Sequence, residues 1–133
     1  MMDTISRRQL ILTIACFTVF FSFGSCNAVW GSVWTSLEST LNLTAHQLKY
    51  GLTTRYAAYA IGALASGYLF DVFNRTAMLV GGMTCLAVTL GLTGSFPGSM
   101  VAFIALQALF GLGSGIVDTA CVVWTVELWS TSR

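Results

Sequence analysis

Between Arg75 and Asp118 lie 42 consecutive residues without a single Asp, Glu, Lys or Arg. A helix needs about 20 apolar residues to cross the hydrocarbon core of a bilayer. The stretch is therefore long enough for two crossings if something breaks it near the middle. The segment TGSFPGS at 93–99 holds the only Pro of the chain and two Gly, which is a turn signal in the right place. Composition agrees. Of 133 residues, 8% are charged and 56% hydrophobic, whereas a soluble domain carries about 25% charged residues. A soluble all-helical domain is excluded for want of polar surface, and the net charge of +1 points to no nucleic acid and no acidic partner.

The remaining charges repeat the pattern. Arg8 and Glu38 bracket 29 uncharged residues, enough for one crossing, and Arg55 and Asp71 bracket 15 more. The 15-residue stretch becomes long enough if its helix starts near Tyr50, with Arg55 close to the end where a long side chain can snorkel to the interface. The expected fold is all-α: an integral membrane bundle of four transmembrane helices at about 9–35, 50–70, 76–95 and 100–127. The lipid bilayer is thus the first partner.

Arg7-Arg8 before an apolar run resembles a signal peptide, but the run continues past Trp30 and Trp34, well beyond the about 7–15 residues of a signal core. Cys16, Cys26, Cys85 and Cys121 fall inside apolar runs without metal-ligand spacing, and are expected as free, small hydrophobes. Positive charge favours the cytoplasmic side. Arg7, Arg8 and Arg75 therefore place the N-terminus inside, with Arg55 counting against it, and the expected location is the plasma membrane. Asn42-Leu43-Thr44 and Asn74-Arg75-Thr76 both match the glycosylation acceptor pattern. In this orientation only Asn42, in a loop at roughly 36–49 shared with His46, faces outward.

The helices carry two kinds of pattern. Ala58, Gly62 and Ser66 recur every four residues, as do Ala63 and Gly67, and Gly111 and Gly115. Small residues at this spacing are contact faces that let helix backbones approach in lipid. Polar residues form a second set. Gln107, Gly111, Ser114, Asp118 and Thr125 share one face of the last helix. An acid within an apolar helix faces a cavity or partner, or is simply hydrated near the helix end. On the first helix Asn27, Gly31 and Trp34 share a face with Trp30 beside it. An amide and two indoles suit a hydroxyl-rich ligand, although an Asn there can equally bond a neighbouring helix. Candidate solute- or ion-binding residues are Asp118, Asn27, Gln107, Ser114, Trp30 and Trp34. No Ser/His/Asp set, paired carboxylates or phosphate loop is found, so the expectation is no enzyme, no catalytic residue, no cofactor and no bound metal.

The segment Gly67-x-Leu69-x-Asp71-x-x-Asn74-Arg75 resembles the signature between the second and third helices of the major facilitator superfamily, G-x-L-a-D-r-x-G-r-k. Asn74 stands where that pattern has Gly, and Asn is the non-Gly residue that best tolerates left-handed backbone. Gln107-x-x-x-Gly111-x-Gly113 resembles the family's R-x-x-x-G-x-G, with Gln for Arg. Residues 111–129 resemble a G-x-G-x-x-D-T-G-x-N segment of the sodium-dependent glucose transporter branch and its fucose-permease-like relatives; Asp118 and Thr119 match it. The resemblance implies secondary transport of a small polar solute, a sugar, with sodium or a proton as the coupling ion. It also implies a conformational latch in which Asp71 and Arg75 pair and face a helix of the opposite half, with Gly67 at the close contact. The family has about twelve helices in two halves. This chain, 1–133, is thus expected as the first four helices of the N-terminal half, with the remaining helices of a longer parent as its partners. A non-transporting four-helix scaffold or an inactive truncated remnant is the alternative.

Overall fold

The computed structural model describes residues 7–130 apart from 94, 97 and 98, with the side chains of Arg8, Trp34, Thr35, Arg75 and Leu128 outside that description. Among the described residues there are five helices and no strand: α1 (Arg7–Ser32), α2 (Trp34–Leu41), α3 (Ala45–Val72), α4 (Arg75–Leu92) and α5 (Met100–Ser130). The segments Gln9–Ser32 of α1 and Met100–Glu127 of α5 are long and apolar enough to cross a membrane, and the apolar part of α4, Thr76–Leu92, is shorter.

Five helices stand among the described residues where four were expected, and two of the boundary differences have a clear local cause. The first helix was expected to run unbroken to about residue 35. Instead it stops at Ser32, Val33 leaves helical geometry at φ −93° and ψ 6°, and the short helix α2 follows. The second helix was expected to start near Tyr50. It starts five residues earlier because Thr44 and Gln47 form a capping box. The Gln47 amide donates to the Thr44 hydroxyl at 3.4 Å, and the Thr44 amide donates to Gln47 Oε1 at 2.9 Å, so two orphan donors of the first turn are satisfied. The loop expected at roughly 36–49 therefore shrinks to the residues between Leu41 and Ala45. Asn42 within it adopts φ 51° and caps α2 in left-handed backbone.

α5 is the hub, with α3, α4 and α1 packed around it. The α3–α5 contact is built from small residues, as their spacing requires. A Cβ on Gly115 would lie 2.7 Å from the Ala63 nitrogen, and one on Gly62 would lie 3.0 Å from the Leu112 Cα. A Cβ on Gly111 would meet that of Ala58 at 2.9 Å. Larger groups fill what remains. Cys16, Leu86, Phe110, Val117 and Cys121 form one apolar cluster, and Trp30, Leu41, Leu43, Leu48 and Phe103 another. The four cysteines are free.

Burial is inverted relative to a soluble protein. Ser66 is wholly buried, whereas Leu64 is 82% and Val101 80% exposed. Phe17, Phe21, Ile61 and Tyr68 also face outward. Exposed apolar surface on this scale marks an interaction surface, and lipid is the environment that large apolar side chains around a small-residue interior are suited to.

Candidate functional site

The early start of α3 decides where its one interior cation lies. With the helix beginning at Ala45, Arg55 falls in its third turn and is 3% exposed. It does not snorkel to an interface, as the expected start near Tyr50 implied. Its Nη2 donates instead to the Asn27 side-chain oxygen of α1. Its guanidinium carbon lies 4.0 Å from the centre of the Phe110 ring and 5.3 Å from that of Trp30. Trp30 and Phe110 meet edge-on with centroids 6.4 Å apart. Sequence reasoning missed Arg55 as a site residue, and the signal was available: Thr44-x-x-Gln47 is a helix-start pattern.

The electrostatics of this nest are incomplete. A cation–π contact contributes about 0.5–1 kcal/mol when exposed and about 2 when desolvated. Taking an ion out of water costs several kcal/mol. Two rings and one neutral amide offset that cost without neutralising the charge, and no carboxylate pairs with Arg55 among the described residues. Arg55 also lines a pocket of about 260 Å³ together with Phe23, Asn27, Tyr56 and Tyr59.

One turn along α3 from Arg55, the Tyr59 hydroxyl donates to a carboxylate oxygen of Asp118 on α5. Asp118 is half-buried. Tyr59 was not singled out by the sequence; periodicity assigns a residue to a face of its own helix, but not to a partner on another.

The other candidates divide. Asn27 joins α1 to α3, accepting from Arg55 and donating to the Phe23 carbonyl at 3.0 Å. Trp30 is buried against the guanidinium, and its indole nitrogen has no hydrogen-bond partner among the described residues. Gln107 is 2% exposed, and its Oε1 is likewise unpartnered. A buried polar group without a partner costs about 1–3 kcal/mol. Ser114 is buried and donates to the Gly111 carbonyl at 2.8 Å, so its hydroxyl is used within its own helix. Trp34 begins α2 beyond the break at Val33, so it no longer continues the α1 face of Asn27 and Gly31; its side chain lies outside the described residues.

At the α3–α4 turn Gly67 and Asp71 are exposed, and a Cβ on Gly67 would meet nothing within 4 Å. The Arg75 side chain, and with it any Asp71–Arg75 pairing, lies outside the described residues. Asn74 does not use left-handed backbone, as its place in the motif suggested. It is extended at φ −65° and ψ 124°, and its side chain accepts from the Thr76 amide at 3.1 Å to cap α4. Asn serves a helix start at least as well as a tight turn, and here the start prevails.

Comparison with known proteins places this arrangement. Mouse sodium-dependent glucose transporter 1A is 27% identical over 113 residues, which cover 85% of this chain and 26% of that protein. Human sodium-dependent glucose transporter 1 is 27% identical over 111 residues, covering 83% of this chain and 21% of that protein. The chain thus spans about a quarter of the length of these relatives. No solved structure matches it significantly. The model of the Major Facilitator Superfamily matches residues 15–133. That match takes in α3, α4 and α5, most of α1, the turn at Asp71 and the segment around Asp118, and the chain is a membrane protein that belongs to the Major Facilitator Superfamily.

Proposed function

We propose that the chain forms the first four membrane spans of a longer secondary transporter, which moves a small polar solute, a sugar, by alternating access. α1, α3, α4 and α5 are the four spans, and α2 lies between the first two at the membrane edge. The observation that carries this reading is the family match over 15–133, joined to relatives that are described as sodium-dependent glucose transporters. A polar set, buried at Arg55 and half-buried at the rest, supports it. In a chain this apolar, Asn27, Arg55, Tyr59 and Asp118 gather at the contacts of α1, α3 and α5, where ionisable groups in membranes mark solute and ion pathways.

In this reading Asp118 accepts the coupling ion, sodium or a proton, and Asn27, Trp30 and Gln107 present polar atoms toward the solute path. Gly67, Asp71 and Arg75 form a latch against helices outside this chain. The N-terminus is cytoplasmic, the membrane is the plasma membrane, and Asn42 is the outward glycosylation acceptor.

The test is uptake of labelled D-glucose into proteoliposomes holding the full-length protein that continues this chain, with a sodium gradient, a proton gradient or none. Uptake that rises with one gradient and collapses with an ionophore is expected. Absence of uptake under all three conditions, for D-glucose and for D-glucuronate alike, would overturn the transport reading.

A further inference from the structure

We infer that the pocket beside Arg55 takes the acidic group of a carboxylate-bearing solute, so that the favoured cargo is a sugar acid rather than a neutral sugar. This rests on the transport reading and names the substrate class within it.

The first support is the unmatched charge. Arg55 is 3% exposed, donates to one neutral amide, and is flanked by the faces of Phe110 and Trp30. No carboxylate among the described residues pairs with it. A guanidinium presents five donors in a planar fork that fits a carboxylate through two parallel hydrogen bonds. One bond to Asn27 leaves most of that fork for something else. The aromatic faces and the Asn27 bond also fix the orientation of the fork, which lowers the ordering cost when an anion docks.

The second support is the space. The pocket of about 260 Å³ that Arg55 lines lies just below the about 300–1,000 Å³ of pockets that hold drug-sized ligands, which suits a small solute. Its other walls include Tyr56 and Tyr59, whose rings can stack on the C–H face of a sugar. The Tyr59 hydroxyl is already directed at Asp118, so the two charges of the region are separated by a tyrosine and free to serve different ions. A carboxylate at Arg55 and a cation at Asp118 would leave the loaded site close to neutral.

The test uses the full-length protein in proteoliposomes with labelled D-glucuronate, competed by unlabelled D-glucuronate or D-glucose. D-glucose should compete at least about tenfold less effectively, the loss expected for one charge-assisted contact. Arg55→Gln should abolish that discrimination, and Arg55→Lys should keep part of it. Equal competition by the two compounds would overturn the inference, and is the result expected if a carboxylate elsewhere in the parent neutralises Arg55. Uptake of D-glucose that D-glucuronate does not inhibit would overturn it while leaving the transport reading intact. Both outcomes are read on the wild type, so they stand even if the Gln variant fails to fold. If neither compound crosses under any gradient, the transport reading falls and the inference with it.

Discussion

Tyr59 on α3 donates its phenolic hydrogen bond to Asp118 on α5, so the acid that ends the long uncharged run is met by a neutral hydroxyl rather than a cation. A neutral donor orients a carboxylate without cancelling its charge. In the proposed transport cycle that carboxylate is the group to which a sodium ion or a proton would bind. Asp118→Asn in the full-length transporter should abolish uptake driven by an ion gradient while protein levels in the membrane hold. Exchange of labelled for unlabelled solute should survive if Asp118 couples the ion, and be lost if it contacts solute. Wild-type uptake with unchanged ion dependence would remove Asp118 from the site.

Tyr59→Phe separates orientation from charge. Interhelical hydrogen bonds in membranes contribute about 0.6 kcal/mol on average and about 1.7 at most, so the variant should unfold only slightly more readily. The ion concentration for half-maximal uptake should rise while the maximal rate changes less. An unaltered ion dependence would mean that Tyr59 does not orient the carboxylate.

The small-residue faces make a prediction about stability. At Gly115 an added methyl would lie 2.7 Å from the Ala63 nitrogen, and backbone cannot yield as a side-chain tip can. Gly115→Ala should cost about 1–3 kcal/mol, the usual range for overpacking, read as earlier unfolding in detergent. Gly67→Ala meets open space and should leave that unfolding unchanged or later, because Ala favours a helix over Gly by about 0.5–1 kcal/mol. If Gly67→Ala nevertheless slows transport by the full-length protein, the contact responsible lies outside these residues, as a latch against the opposite half requires.

Asp71 is exposed at the end of α3, away from the Arg55 pocket. In the proposed latch Asp71 would bias a conformational equilibrium instead of touching solute. Asp71→Asn should lower the transport rate more than solute affinity. Normal turnover with much weaker binding would contradict the latch.

Orientation is open to direct labelling. α3 has 28 residues, about 42 Å at the usual helical rise, long enough for its two ends to reach opposite sides of a bilayer if it is one of the proposed spans. With the native cysteines replaced, an impermeant thiol reagent should label Ala45→Cys in intact cells and leave Phe73→Cys unlabelled. The reverse pattern would invert the orientation.

Much of this was legible in the sequence, and the parts that were not share a cause. The small-residue rows at Gly62, Gly111 and Gly115 announce a close contact by spacing alone, and the contact is there. The turn around Pro97 announces itself by composition, and α4 and α5 end and begin on either side of it. Arg55 was misplaced because a count of uncharged residues fixes how long a span is, not where its helix starts; the capping box does that. The break at Val33 follows Gly31 by two residues, a Gly that helical spacing assigned to a face of the first helix rather than to a break. Left-handed backbone was expected at Asn74 and occurs at Asn42 instead, because a residue type suited to two geometries is assigned by its neighbours. The pairings of Arg55 with Asn27 and Tyr59 with Asp118 join residues on different helices, and helical periodicity carries no information across helices.

The central position of α5 bears on how the protein is made. α1, α3 and α4 approach α5 closely and one another little, yet α5 leaves the ribosome after all three. Until residues 100–130 have been synthesised and inserted, the earlier helices have no common surface to pack on. The cation at Arg55 then lacks the Phe110 ring, and the Asp118 partner of Tyr59 does not yet exist. If the four long helices are the proposed spans, biogenesis has to hold three loosely associated helices, one with a charge in its interior, in or beside the translocation machinery until the fourth locks them together.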